Sequence, residues 1–170
     1  ASHQMMFVAQ GYMVYKITGS ATILGIVGAG SAFPMLILAP FSGTVADKFK
    51  RKNIILICQS VSVFLAAIMT VLIATDLIRW QYFLVIGVSQ GAVWAFNAPA
   101  RQAWLPQIVS KDKLHNAISL ISAGMSSAFI IAPAIAGFIY SFKGPDVVYM
   151  LVTVSASIAV LTTVFIRKTR

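Results

Sequence analysis

Apolar residues run along this chain in blocks long enough to cross a bilayer, separated by short polar connectors. A spanning helix needs about 20 such residues, because it rises about 1.5 Å per residue through about 30 Å of hydrocarbon. Five segments meet that length, over about residues 21–42, 53–75, 80–98, 116–140 and 147–166. A sixth, Gln4 to Tyr15, would cover only about 18 Å as a helix. It lacks the basic leader and the clear cleavage site of a secretory signal. The expectation is the second half of a spanning helix, covering about residues 1–16. Two connectors, Thr18-Gly-Ser20 and Lys143-Gly-Pro-Asp146, carry turn chemistry. None is long enough to fold as a soluble unit, so residues 1–170 read as a single transmembrane helical domain.

Composition sharpens this into an all-α membrane protein. Hydrophobic residues make up 59% of the chain and charged residues 10%, against about 25% charged in a soluble domain. A chain with so little charge cannot clothe its surface for water, so its principal partner is the lipid bilayer. The net charge of +9 does not point to nucleic acid, because the bases sit between apolar runs instead of lining one face. Cys58 has no partner for a disulfide and reads as a packed thiol. His3 and His115 have no Cys or carboxylate at metal-ligand spacing, so no metal is expected. No carboxylate pair, His-rich cluster or Ser/His arrangement suggests an enzyme.

Charge also orients the chain. Alternating spans place Lys48, Lys50, Arg51, Lys52, Arg101, Lys111, Lys113, Arg167, Lys168 and Arg170 on one side. Only Lys16, Arg79 and Lys143 fall on the other. Short loops rich in Lys and Arg stay in the cytoplasm. The expected location is therefore the cell (inner) membrane, multi-pass, with loops 43–52 and 99–115 and the C-terminus cytoplasmic.

The first of these loops, Gly43-Thr-Val-Ala-Asp-Lys-Phe-Lys-Arg-Lys52, raises the question of chemistry. Gly43 permits a close approach or a tight exit from the second helix. Asp47 contributes little to orientation, and capping a helix N-terminus would suit it. The pattern Gly43, Asp47, Lys48, Arg51, Lys52 resembles the loop motif between the second and third spans of the major facilitator superfamily. That family usually has glycine where Lys50 stands, which implies a changed turn. A second stretch runs from Asn97 through Pro99, Arg101 and Gln102 to Val109, followed by Leu114-His-Asn-Ala117. It is similar to the end of helix four in the macrolide-efflux and enterobactin-exporter type branch. Pro99 and Pro106 are expected to end helix four and bend the loop along the membrane, with Trp104 at the interface.

Small residues mark two more helices. Gly124, Ala128, Ala132 and Ala136 recur every fourth residue, beside Pro133 and Gly137. This spacing lets helices approach closely in lipid. Ala132-Pro133-x-x-Ala136-Gly137 resembles the Gly-Pro-x-x-Gly-Gly element of superfamily exporters, where packing and transport motion overlap. Gly25, Ala29 and Phe33, with Gly28 and Ala32 alongside, form a similar stripe on the second span. Polar groups inside spans are few: Gln10; Gln90, Trp94 and Asn97 on one face of the fourth span; Ser122, Met125 and Ser126 on the fifth. They either line a substrate path or bond between helices.

The resemblance implies the six-helix N-terminal half of a major facilitator fold, first helix truncated. It implies an efflux permease exporting small amphipathic molecules by alternating access, with a missing C-terminal six-helix half as partner. In that family the Gly43 to Lys52 loop gates the cytoplasmic contact between halves. No cofactor is implied. Proton-gradient coupling is a family expectation that this chain does not itself support. Proton-coupled members carry an arginine three residues before a Gln-Gly pair, and here Gly87 stands there before Gln90-Gly91. A six-span ABC domain is disfavoured because the spans are close to bilayer length and no phosphate-binding glycine loop exists. A self-associating half-transporter or a non-transporting scaffold is the alternative.

Overall fold

A computed structural model describes residues 2–165, with side chains for all but Ser2, His3, Ala46, Asp47 and Lys111. Arg167, Lys168 and Arg170 lie outside the described residues. Six long helices follow one another: α1 (Ser2–Thr18), α2 (Ala21–Lys48), α3 (Arg51–Ala74), α4 (Trp80–Ile108), α5 (Leu114–Lys143) and α6 (Pro145–Phe165). A single 3-10 turn at Lys111–Lys113 precedes α5. The last five helices are long and apolar enough to cross a membrane. This regularity is what lipid requires, since a backbone amide there finds partners only within its own helix.

The turns form where their chemistry allows. Gly19 (φ +61°) and Gly144 (φ +84°) adopt the left-handed conformation that costs a glycine nothing. Ser20 caps α2 by accepting from the Ile23 amide at 3.4 Å. Pro145 opens α6 at the position where its missing N–H is no loss.

Helix ends depart from the sequence reading. Gly43 does not end α2, which runs on to Lys48. A Cβ at Gly43 would meet nothing within 4 Å, so no close approach within the chain explains this glycine either. The break falls at Phe49 and Lys50, both extended. Lys50 has φ −63°, so the turn needs no glycine there. Asp47 lies in the last turn of α2, not at a helix N-terminus, and Lys50 occupies the N-cap of α3.

Pro99 and Pro106 do not end α4 but lie inside it. Each proline costs a helix about 3 kcal/mol. The offset is packing: Ala100 and Trp104 are buried against Ile54, Ile55 and Cys58 of α3. Trp104 therefore sits in a core, not at the lipid interface. Where water is the alternative, burial of an indole is worth about 4 kcal/mol or more. At 28 to 30 residues, α2, α4 and α5 each extend over about 42–45 Å. They exceed bilayer length by more than the apolar runs suggested.

α2 packs most extensively on α4, α3 lies between α4 and α6, and α1 touches α5 and α6 as well as α2 and α4. The main core joins Val14 of α1, Val27 of α2, Met69 of α3, Phe83 of α4, Ala136 of α5 and Tyr149 of α6. The tightest contact is between α2 and α4. A Cβ on Gly91 would collide with the Ser31 carbonyl, and one on Gly87 would come within 3.7 Å of the Val27 carbonyl. The expected stripe of Gly25, Ala29 and Phe33 points elsewhere: Gly25 meets nothing within 4 Å, and Ala29 and Phe33 are exposed. The real contact face of α2 carries Val27 and Ser31, offset by two residues.

Replacing Gly91 with alanine should force α2 and α4 apart and lower stability by about 1–3 kcal/mol. Gly124→Ala, where a Cβ meets nothing, should leave stability unchanged or slightly raised. Thermal unfolding of the intact protein in detergent compares the two. Equal midpoints would refute the close-approach account.

Candidate functional site

Two cavities open beside α1 and share Phe7 and Trp94 in their walls. The first, about 230 Å³, lies between α1, α2 and α4 and is lined by Met6, Gln10, Met35, Gly87 and Gln90 among others. The second, about 310 Å³, lies between α1, α4 and α5 and takes in Gln4, Val8, Phe129 and Pro133. Ligand pockets run to about 300–1,000 Å³. Each cavity alone is at or below that floor, and together they reach it. Their walls are aromatic, thioether, aliphatic, hydroxyl and amide; among the described residues no ionisable side chain lines either one.

Three of the residues singled out for a substrate path meet here, Gln10, Gln90 and Trp94, and Gly87 of α4 and Pro133 of the α5 motif join them. Gln10 is buried and donates through Nε2 to the Phe83 carbonyl at 3.1 Å. A Cβ on Gly87 would stand 3.1 Å from that same nitrogen. Glycine at the position where proton-coupled exporters carry arginine thus leaves room for a neutral amide from α1. Gln90 is bonded at both ends. Its Oε1 accepts from the Ser62 hydroxyl at 3.2 Å, and its Nε2 donates to the Met6 sulfur at 3.6 Å. The two sequence alternatives therefore coexist at Gln90, which touches the cavity and also ties α1, α3 and α4 together.

Asn97 is buried and accepts from Arg101 Nε at 3.1 Å through Oδ1. It lines neither cavity. Ser122, Met125 and Ser126 are exposed along α5 and line neither cavity. Of the α5 stripe, Ala132 and Ala136 are buried and Ala128 is half-buried, while Gly124 and Gly137 are exposed. The stripe packs only at its end near α1.

The basic loop motif works at one end of the bundle. Arg51 donates to the Ala103 carbonyl at 2.8 Å, in the turn of α4 that the Pro106 ring crowds. Lys52 donates to the Val164 carbonyl at 2.8 Å, at the last turn of α6, where a cation suits the helix dipole. Lys48 is exposed, as are Arg101 and Gln102, and Pro99 is half-buried. The motif's two C-terminal bases thus tie α3 to α4 and α6 within this bundle.

Sequence reading missed Met6, Ser62 and Gln59. Ser62 and Met6 are the partners of Gln90. Gln59, one turn before Ser62 on α3, is buried with both amide atoms lacking a partner among the described residues. An unmatched buried polar atom costs about 1–3 kcal/mol. The signal was available: Gln59 and Ser62 are polar residues three apart inside an apolar run, as telling as the Gln90 to Asn97 face.

A double-mutant cycle with Ser62→Ala and Gln90→Leu should give a coupling energy of about 0.6 kcal/mol, typical of interhelical hydrogen bonds in membranes. Unfolding in detergent measures it, and strictly additive effects would mean the bond contributes nothing.

Comparison with known proteins places this architecture. The model of the transmembrane secretion effector family matches residues 2–170. Multidrug resistance protein 2 of Bacillus subtilis is 30% identical over 88% of this chain and 36% of its own length. The staphyloferrin A transporter of Staphylococcus aureus is 30% identical over 84% of this chain and 36% of its own length. Macrolide efflux protein A of Streptococcus pyogenes is 24% identical over 92% and 38%. The chain spans little more than a third of the length of these relatives. With an all-helical bundle and a family match over nearly its whole length, the chain belongs to the transmembrane secretion effector family of major facilitator permeases.

Proposed function

We propose that the protein containing this chain is an efflux permease for small amphipathic molecules, and that the joined cavities around Phe7 and Trp94 form this half of its substrate path. The carrying observation is that amides and aromatics from α1 and α4, with Met35 of α2 and Phe129 of α5, converge on a space that has no ionisable wall among the described residues. Such a lining suits molecules that are largely apolar with a few hydrogen-bonding groups. The similarity to macrolide efflux protein A and to a multidrug efflux pump supports the same reading.

The partner surface is part of the proposal. In the apolar windows of α2 and α5 only 6% of residues are buried, against 44% for α4. These two helices flank the cavities, so a second six-helix half seated on them would close the path. Alternating access then follows as rocking of the two halves about the cavities. Proton coupling, if this permease uses it, draws on acids other than those described here. Asp76, Asp112 and Asp146 all lie at helix ends.

Two experiments test this reading in the intact protein. Trp94→Ala and Gln90→Ala should each lower efflux of a transported dye at least about tenfold, the equivalent of losing roughly 1.4 kcal/mol of contact. Membrane levels and unfolding midpoints must be read alongside; unchanged efflux with reduced folding would end the substrate-path idea. For orientation, cysteines introduced by Lys48→Cys and Lys113→Cys should react with an impermeant maleimide only from the cytoplasmic side. Labelling of one from each side would overturn the assignment.

A further inference from the structure

The polar side chains on the wall of the first cavity are not equivalent. Ser31 returns its hydroxyl to the Gly28 carbonyl at 2.7 Å, within its own helix. Gln90 is engaged at both ends of its amide, by Ser62 and by Met6. Gln10 is engaged at one end. Its Nε2 donates to the Phe83 carbonyl at 3.1 Å. A carbonyl can only accept, so the nitrogen end of this amide is fixed toward α4. The oxygen end is left over. Among the described residues nothing donates to Gln10 Oε1. Nor is that oxygen sealed in the core, because the buried side-chain atoms lacking a partner belong to Gln59 and Tyr149. Gln10 is a wall residue of the cavity, so its uncommitted oxygen opens on that space.

Two features hold the amide in this pose. Its neighbours on α1, Ala9, Met13 and Val14, are buried in the main core, and α1 is described for about two turns before Gln10. On the other side, a Cβ at Gly87 would stand 3.1 Å from Nε2, so glycine lets the amide lie on α4. Nε2 also keeps a second N–H. Gln10 thus offers an acceptor and a donor on one planar group, in a wall shared with Met6, Phe7, Ala32 and Met35. An uncharged amide or lactam offers the complement on one planar group of its own. An ammonium would also donate to Oε1. Among the described residues, however, no carboxylate lines the cavity to offset the desolvation of that charge.

We propose that Gln10 is a specificity-determining residue of this path: its Oε1, set by the Nε2 bond to Phe83, accepts from the N–H of an uncharged amide or lactam on a substrate whose apolar body lies against Phe7 and Trp94. A substrate with a bare acceptor at that point would leave Oε1 without a partner and set two oxygens against each other. This assigns a substrate class to the path proposed above and rests on that reading.

The test uses the intact protein in phosphatidylcholine nanodiscs, with empty discs as the baseline. The probes are radiolabelled δ-valerolactam and δ-valerolactone carrying the same phenylbutyl chain, alike in shape and different by one N–H. The lactam should bind about tenfold more tightly than the lactone, the discrimination expected when one hydrogen bond is replaced by a lone-pair contact. Gln10→Leu should abolish the preference. Gly87→Ala should reduce it with Gln10 still present, because the added methyl displaces the amide from Phe83. No preference in the parent protein overturns the assignment, and so does a preference that survives Gln10→Leu. A substitution that merely loosens the fold weakens both probes alike and leaves their ratio standing, which counts against Gln10 as the discriminating group. A protein that shows the Gln10-dependent preference but exports neither probe nor dye keeps the assignment and loses the transport reading. A working exporter without the preference does the opposite.

Discussion

Hydrocarbon offers no hydrogen bonds, and that constraint shapes every other choice in this bundle. Helices satisfy their own backbones, so cohesion between them must come from close contact and a few polar links. The contact of α2 with α4 is the clearest case. Gly91 brings one backbone onto the Ser31 carbonyl of the other, a distance no larger residue would allow. Once those two helices are fixed, Gln10 can enter the gap beside Gly87 and Gln90 can reach both Met6 and Ser62. The cavities are the space left beside these links, which is why their polar wall consists of neutral amides.

The sequence made the number and order of the helices legible because lipid imposes a minimum apolar length, and because Gly19 and Gly144 mark turns that side chains resist. It misplaced helix ends for the opposite reason. Outside the hydrocarbon, packing decides, and packing is not local. Nothing near Pro99 in the chain reveals that Ile54, Ile55 and Cys58 will cover Ala100 and Trp104. The Gly25, Ala29, Phe33 stripe failed in a related way. Small residues permit a close contact without requiring one, and a shift of two positions turns a helix face by more than half a turn. The Gln90 and Trp94 positions were readable because a polar group inside an apolar run needs a reason to be there.

The loop motif shows two scales of organisation. Its bases Arg51 and Lys52 engage carbonyls near the ends of α4 and α6, so α3, α4 and α6 are joined at that end and again through Thr70 and Thr153 at 3.3 Å. By contrast, α5 commits only the part containing Ala132 and Ala136 to the core. Its other half, with Ser122 and Ser126, lies along the open side. Within this chain, three helices are linked to one another at two levels, while the fourth is held along one part of its length.

The placement of α1 has a consequence for biogenesis. This helix precedes the others in the sequence given, yet much of its contact surface is supplied by α5 and α6, which follow it by about a hundred residues or more. It also carries Gln4, Gln10 and Lys16, a poor set for residence in lipid alone. During synthesis α1 must therefore wait, either in the insertion machinery or against α2 and α4, until the closing helices emerge. An error in α6 would be felt first as an undocked α1.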